Sequence, residues 1–472
     1  MSEKQQRRLI AVSNRLPIAV DRDDQGQWQL TAGAGGLVTA LAPVLKDHRG
    51  MWIGWPGCGE EAPLDSLLEG FADKQGYSLA TVPLSQEEVR EYYEGFSNMT
   101  LWPLFHDLLG HCQFNPDHWR TYVEVNRRFA DVTVGTVRDN DLIWVQDYQL
   151  TLMGARLREL KVKNPLAFFL HIPFPAPDMF RRLPWKNEIM QGLLSYDLVG
   201  FQTLRDRRNF VQCVREMNPN MKADIRRRTS TLHEDGRSVK VGHFPISIDF
   251  NEFNRQARSK EVADAAWYLH EKLARRQLVL GVDRLDYTKG IPERILAFER
   301  LLENYPDLHR NITLLQVVVP SRTQVPEYQK LKEELDQLAG RINAQYGEPD
   351  WVPIHYTFRS LPREQLLAHY RAAEIALITP LRDGMNLVAK EYCAASVDGN
   401  GVLILSEFAG AAEQLGRAAL LVNPYDVDGT AAAIHRAYHM EVEERRNRMR
   451  RLRASVQRNN VHRWVRYFID SL

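Results

Sequence analysis

The feature that most constrains this chain is a rhythm of short apolar runs. Each run is bounded by a polar turn and separated from the next by a stretch of helical periodicity. In the first half the runs are Leu9-Ile-Ala-Val-Ser13, Met51-Trp-Ile-Gly-Trp55, Asp141-Leu-Ile-Trp-Val-Gln-Asp147, Leu166-Ala-Phe-Phe-Leu-His171 and Leu198-Val-Gly-Phe201. Short apolar runs alternating with helical patterns read as parallel strands joined by crossover helices. Around Val239 to Phe250 the pattern changes: two strand-like pieces with Gly236 between them lead into Pro245-Ile-Ser-Ile248. A long helix, Glu261 to Arg275, opens a second series: Leu278 to Val282, Ile312 to Val319, Val352 to Thr357, Ile375 to Thr379, Val402 to Leu405 and Ala419 to Val422. The expectation is an α/β protein with two doubly wound sheets, one in residues 1–245 and one in 246–455. A C-terminal helix, 456–472, carries Trp464, Tyr467 and Phe468, which need a surface to pack on; the first domain is the candidate.

At 472 residues the chain is long enough for two large cores. Its 61 Lys and Arg nearly balance 60 Asp and Glu, so bulk charge makes no case for nucleic acid or an acidic membrane. The arginines at Arg226 to Arg228 and from Arg445 to Arg453 form local clusters. Glu441, Glu443 and Glu444 precede the second, which reads as a solvated helical face. Cys58, Cys112, Cys213 and Cys393 lack metal or redox spacing, and a cytoplasmic setting is expected. Cys393, among alanines, reads as a buried small hydrophobe. No apolar run approaches membrane-spanning length, and the run from Leu9 is too short for a signal-peptide core.

Chemistry concentrates in Thr379-Pro-Leu-Arg-Asp-Gly-Met-Asn-Leu-Val-Ala-Lys-Glu391. A buried strand precedes it, and a helix from Leu387 to Ser396 follows. Open α/β sheets bind ligands where a strand's carboxyl end feeds a helix. That helix's first amides lack internal partners and favour an anion, most often a phosphate. Asp383 and Asn386 lie in the turn, and Glu391 lies about one helical turn further in. The alternative is a plain turn with Asp383 or Asn386 as N-cap.

Other strands of the second series also end in charge. Val282 is followed by Asp283-Arg-Leu-Asp-Tyr-Thr-Lys-Gly290, and Val319 by Pro320-Ser-Arg322. Arg284, Lys289 and Arg322 would converge near Asn386 and suit a pyrophosphate. Alternatively, Arg284 and Lys289 pair with Asp283, Asp286 or Glu293 at the surface.

Three further stretches read locally. Gly33-Ala-Gly-Gly36 before the helix Leu37–Leu45 frees amides for a ligand, or is a tight turn. Ser85 and Glu88 form a capping box, with Tyr92, Tyr93 and Trp102 flanking a short polar link beyond it. Asp21 to Gly26 reads as a hairpin turn before Trp28. The Asp-x-Asp spacings at Asp21-Arg-Asp23 and Asp426-Val-Asp428 read as turn chemistry rather than a metal site. No phosphate loop of Walker type and no nucleophile elbow occurs.

Together these motifs resemble the trehalose-6-phosphate synthase family of retaining glycosyltransferases. The likeness runs from Val12-Ser-Asn-Arg15 to Leu421-Val-Asn-Pro-Tyr-Asp426. It passes through Gly35-Gly-Leu37, Trp52-Ile-Gly-Trp55, Glu91-Tyr-Tyr93, Leu101-Trp-Pro103, Trp144-Val-Gln-Asp-Tyr148, Phe169-Leu-His-Ile-Pro-Phe-Pro175, Gly200-Phe-Gln-Thr203, Arg284 to Gly290, Pro320-Ser-Arg322 and Pro380 to Glu391. The family's fold is two facing Rossmann-like domains of the GT-B type, with the active site in the interdomain cleft.

The resemblance implies transfer of glucose from UDP-glucose to glucose 6-phosphate, giving α,α-trehalose 6-phosphate and UDP, with no cofactor and no metal. It places the donor pyrophosphate on Arg284 and Lys289, with the amides of Gly35 and Gly36 nearby. Glu391 is implied to bind the ribose, and Asp383, Met385, Asn386 and Leu387 to shape the donor-glucose and phosphate pocket. His171 is implied to contact the donor sugar, and Asp147 and Trp55 to face the acceptor sugar. Arg15, Tyr93, Trp102 and Arg322 surround the acceptor phosphate. Catalytic roles fall on Arg284, Lys289, Asp147, His171 and Asp383.

Two departures stand out: Gln146 replaces the usual His before Asp-Tyr, and the segment after Asn14-Arg15 is long. Donor base therefore stays open among UDP, GDP and ADP. Alternatives are a glucosyltransferase with another phosphorylated acceptor such as glycerol 3-phosphate, a non-catalytic regulatory relative, and a glycoside hydrolase, for which no carboxylate-pair motif is present. Partners are expected to be small-molecule substrates, with no nucleic acid and no membrane; a homo-oligomer is left open.

Overall fold

Leu9 to Val12 carry only apolar side chains, and all four are buried, so β1 (Leu9–Arg15) lies inside a sheet rather than at its edge. In the computed structural model the residues described are 7–22, 26–32, 36–58, 62–226, 228–234, 236–273, 276–322 and 325–472. They divide into one unit of Met1–Ile246 with His462–Leu472 and a second of Ser247–Val461.

The first unit contains β1, β2 (Ile18–Arg22), β3 (Trp28–Ala32), β4 (Met51–Trp55), β5 (Ser78–Thr81), β6 (Leu142–Gln146), β7 (Leu166–Phe169), β8 (Leu198–Phe201), β9 (Lys222–Ile225), β10 (Thr229–Glu234) and β11 (Arg237–His243). Its main sheet has the order β5-β4-β1-β6-β7-β8-β11-β10-β9. From β5 to β11 the neighbours are parallel; β10 and β9 add an antiparallel hairpin edge. β2 and β3 pair antiparallel in a small separate sheet. β1 lies between β4 and β6, so the strand order reverses beside it, which opens a crevice at the strands' carboxyl ends.

Aromatic burial fastens the chain's end to this unit. In the helix Val461–Ile469, the Phe468 ring stacks on Trp144 of β6 at 4.3 Å between centroids, and Trp464 meets the Phe169 edge at 5.1 Å. Gly200 makes room, because a Cβ there would lie 2.6 Å from the Phe468 ring.

The second unit contains β12 (Gln277–Arg284), β13 (Ile312–Val319), β14 (Ile354–Phe358), β15 (Ile375–Ile378), β16 (Val402–Ser406) and β17 (Leu420–Val422). All pair parallel in the order β14-β13-β12-β15-β16-β17. β12 and β15 flank the point where strand order reverses. Both units thus have the expected α/β class, with parallel strands joined through helices.

Two local expectations are corrected. The stretch between Tyr93 and Trp102 is no polar link: after the Ser85 capping box, Val89–Leu101 forms a π-helical run continuous with the helix Trp102–Phe105. The run is polar in composition because several of its polar groups are satisfied inside the fold, whereas the hydroxyls of Tyr92 and Ser97 are buried with no hydrogen-bond partner among the described residues. Asn98 Nδ2 donates to the Tyr93 carbonyl at 2.7 Å while its Oδ1 accepts from the Tyr148 hydroxyl. The Arg445 to Arg453 face is largely solvated, but Arg445 itself is buried. It donates to the carbonyls of Ala437, Tyr438 and Met440, satisfying the open end of the helix Val427–Tyr438. Among the described residues no helix is long and apolar enough to cross a membrane.

Candidate active site

In the second unit, chemistry gathers at the carboxyl ends of β12, β13 and β15. β12 ends at Arg284, and the turn Tyr287–Lys289 returns Lys289 beside the loop after β15. Lys289 Nζ donates to Asp383 Oδ2 at 2.6 Å, and the same oxygen accepts from Asn386 Nδ2 at 3.2 Å. Asp383 Oδ1 accepts the Met385 N–H at 3.3 Å. Asn386 caps the nine-residue helix Leu387–Ala395, its Oδ1 accepting the Ala389 N–H, and holds a positive φ of 71° that few side chains adopt. Leu387 is the first residue of that helix and is half-buried. The turn is therefore both capped, as the plain alternative had it, and joined to a cation from the neighbouring strand.

Asp286 organises the cations. Its Oδ1 accepts the Thr288 N–H at 3.0 Å and the Thr288 hydroxyl at 2.8 Å. Arg322 and Arg284 approach its Oδ2 at 3.7 and 3.8 Å. Burial would raise the Asp286 pKa, but Arg322, Lys289 and Arg284 together hold it below the usual carboxylate range. The Arg322 side chain is shielded from solvent and donates to the Tyr328 hydroxyl, and the residue has a positive φ of 49°. Arg284 is about half exposed, with 49% of its side chain open to solvent. One carboxylate thus faces guanidinium groups from two strand ends. Glu391 sits one turn into the helix; Tyr370 donates to it at 2.8 Å, and burial pushes its carboxyl up.

A residue that motif reading passed over holds this end together. Arg294, on the helix Ile291–Asn304, is fully buried and ion-paired with Asp283. It also donates to Thr379 Oγ1 at 3.1 Å, Gln316 Oε1 at 3.2 Å and the Lys289 carbonyl at 3.3 Å. A Cβ at Gly281 would lie 2.7 Å from its guanidinium. The clue was Gly281, small in the middle of an otherwise bulky strand.

In the first unit, Arg15, Trp55, Asp147 and His171 stand at or just past the ends of the adjacent strands β1, β4, β6 and β7. The β1–β4 register shifts between Val12 and Arg15 and brings Arg15 opposite Trp55. The guanidinium lies over the indole at 4.6 Å. Gly57, at φ 87°, leaves the space: a Cβ there would come within 2.6 Å of that guanidinium. Trp102 is buried and its ring lies 5.6 Å from Tyr148, immediately after Asp147. Tyr93 is half-buried on the π-helical run. Gly35 lies outside the described residues, as does Asp23; Gly36 begins the helix Gly36–Asp47.

Asp147 adopts φ 73° and ψ 170°, a strained conformation for a non-glycine residue. Its Oδ1 accepts the His171 N–H at 3.0 Å. The imidazole is held by two glutamines. Gln202 Oε1 accepts the Ile246 N–H at 2.9 Å, which leaves its amide nitrogen facing His171 Nδ1 at 3.4 Å. Nδ1 is then the acceptor, so Nε2 carries the proton and donates to Gln146 Oε1 at 2.9 Å. Burial lowers the His171 pKa to about 3, so the ring is neutral at physiological pH.

Among the described residues no group of three or more His, Cys, Asp or Glu side chains could hold a metal ion. Asp426 caps the helix Val427–Tyr438 through the Gly429 N–H, and Asp428 pairs with Arg300, so this acidic pair has structural roles.

Residues 7–472 match the sequence profile of Glycosyltransferase family 20. The trehalose-6-phosphate synthase of Mycolicibacterium vanbaalenii is 44% identical over 469 residues, spanning 98% of this chain and 95% of that protein. Two solved structures are similar throughout. The E. coli trehalose-6-phosphate protein bound with UDP-2-fluoro glucose has a TM-score of 0.88 at 38% identity, covering 98% of each chain. The UDP-forming α,α-trehalose-phosphate synthase of Burkholderia xenovorans in complex with glucose-6-phosphate has a TM-score of 0.87 at 38% identity, covering 98% of this chain and 99% of that one.

Proposed function

The chain belongs to glycosyltransferase family 20, and we propose that it moves glucose from UDP-glucose to glucose 6-phosphate, giving α,α-trehalose 6-phosphate and UDP with retained anomeric configuration. The observation that carries this reading is the gathering of Arg284, Lys289 and Arg322 beside the capped amino end of the helix Leu387–Ala395. UDP leaves as a pyrophosphate, and the charge that develops on it is met by fixed cations and helix amides. In this reading Lys289 exchanges Asp383 for a phosphate oxygen, and Arg284, half exposed, turns to the same group. Glu391 takes the ribose hydroxyls. Asp383, Met385, Asn386 and Leu387 shape the donor pocket.

The acceptor is assigned to Arg15, Trp55, Tyr93, Trp102, Asp147 and Arg322. Guanidinium forks match phosphate oxygens, and an indole face suits a pyranose ring. Asp147, whose carboxylate orients the His171 amide, acts as a positioning group. Attack comes from the leaving-group face, and a donor-phosphate oxygen takes the acceptor proton. No metal is required, because the charge on the leaving group is met by protein cations. A cytoplasmic setting fits four free cysteines.

The test is product analysis with UDP-, GDP- and ADP-glucose against glucose 6-phosphate, glucose and glycerol 3-phosphate. Trehalose 6-phosphate formed from UDP-glucose is the expected product, with free glucose a poor acceptor. A wild type that used glucose as readily as glucose 6-phosphate would overturn the phosphate-grip assignment.

A further inference from the structure

A basic concavity lies in the first unit, between the helix Leu204–Met217 and the β9–β10 hairpin, and among the described residues its lining shares none with the donor and acceptor sets above. Its volume is about 530 Å³, within the range of small-molecule pockets. Helical spacing places Arg207, Val211 and Arg215 on one face, with Arg208 beside them, and all four line it. Arg207 is buried, at 4% exposure. Its pKa is lowered by burial and then by Arg208. Burial, followed by Arg207, Arg228 and Arg208, lowers the His243 pKa too, so several guanidinium groups act on one small region.

Among the described residues one carboxylate, Glu216, borders the cavity, and both of its oxygens are engaged: Arg181 donates to one at 2.8 Å and Gln212 to the other at 3.1 Å. The hairpin wall supplies Ser230, paired in register with Ile225. Ser230 is 1% exposed, lines the cavity, and its Oγ has no hydrogen-bond partner among the described residues. A buried hydroxyl left without a partner is costly, and such groups are normally satisfied. Val211 and Ile225 add an apolar side.

We propose that this cavity binds a small phosphomonoester, its dianion held by Arg207, Arg208 and Arg215 and by the Ser230 hydroxyl, as an effector site separate from the donor and acceptor sites. Guanidinium groups and a hydroxyl donor match phosphate oxygens, and a volume of about 530 Å³ suits a small molecule.

The test is amide hydrogen exchange on the full-length chain, titrated with inorganic phosphate and, separately, with glucose 6-phosphate, against chloride at matched ionic strength. Phosphate should slow exchange in residues 204–217 and 222–234. In the double variant Arg208→Ser, Arg215→Ser the midpoint there should rise at least about tenfold, as expected for lost charge-assisted contacts, while protection elsewhere persists. Both arginines are exposed, so folding is preserved. Ser230→Ala should raise the midpoint with the ligand-free melting temperature unchanged or higher, which a structural role for the hydroxyl would not produce. A lower midpoint for glucose 6-phosphate than for phosphate identifies a sugar phosphate as the ligand; equal midpoints identify free phosphate. Absence of protection in the wild type, equal protection by chloride, or an unchanged midpoint in the double variant would overturn the site.

Discussion

Gln146 shows how much one side chain decides here. Its carbonyl oxygen accepts the proton on His171 Nε2, and Gln202 donates to Nδ1, so the imidazole is locked neutral in one tautomer. Neither glutamine titrates. The turnover step that depends on His171 should therefore be flat in pH across the neutral range. Gln146→Glu would place a carboxylate against Nε2 and raise the His171 pKa toward or above its ordinary value. The expected result is a new ionisation near neutrality in the pH profile of kcat/KM, with the fold intact by circular dichroism. A profile identical to wild type would show that His171 takes no part.

The sign of the associated stability effect follows from the depressed pKa. The folded state keeps His171 neutral down to about pH 3, whereas the unfolded chain protonates near 6.5. Stability contributed by the neutral ring is present above 6.5 and is lost as pH falls from there toward 3. Cations give a second prediction at this scale. Arg284→Ala and Lys289→Ala should each weaken UDP binding by about 2 kcal/mol or more in calorimetry, as for a lost charge-assisted contact. Arg322→Lys should raise KM for glucose 6-phosphate while leaving UDP affinity nearly intact. Unchanged UDP affinity in both alanine variants would move the pyrophosphate elsewhere.

At the scale of an element, the turn from β15 into the helix Leu387–Ala395 does two jobs with one residue. Asn386 caps the helix and ties Asp383 into the turn while holding a positive φ. Asn386→Ala loses both bonds and strains the backbone; Asn386→Gly loses the bonds but adopts the φ freely. Alanine should thus be the costlier change, by about 1–2 kcal/mol relative to wild type in chemical unfolding, with glycine in between. Equal costs would mean that the backbone conformation is not what selects asparagine. β12 carries a comparable constraint. Gly281 gives Arg294 the space to reach Asp283, Thr379 and the Lys289 carbonyl, which anchors the end of β12 to the start of the turn.

At the scale of the molecule, each unit has its own sheet, and the chain's last helix returns to the first. Trp464 is buried against Phe169 and donates its indole N–H to the Phe244 carbonyl at 3.0 Å. Trp464→Ala should cost about 3–5 kcal/mol through cavity formation. It should do so in the first unit, read as faster amide exchange in β6, β7 and β8 with β12 and β13 unaffected. Equal loss in both sheets would place the helix's contribution elsewhere. Turnover should also survive EDTA; its loss and rescue by magnesium would contradict the protein-cation reading of leaving-group stabilisation.

The sequence by itself determined the α/β class, because an apolar run with its polar terminus is a local pattern, and sheet registry then collects successive termini at one edge. That is why Arg284, Lys289 and the Asp383 turn could be named together before any coordinate. It also determined the Ser85 capping box, whose bonds span three residues, and offered Asp383 or Asn386 as the cap of the helix Leu387–Ala395, of which the structure uses Asn386. What only the tertiary structure decided is which group meets which across large sequence separations. Lys289 takes Asp383 rather than a nearer acid, Asp283 is claimed by Arg294, and Asn98 and Arg445 spend their polar atoms inside the fold. The tautomer of His171 rests on Gln146 and Gln202, brought together only when β6, β7 and β8 pair. Pairing of this kind depends on distance and burial, and neither is a property of a residue's neighbours in sequence.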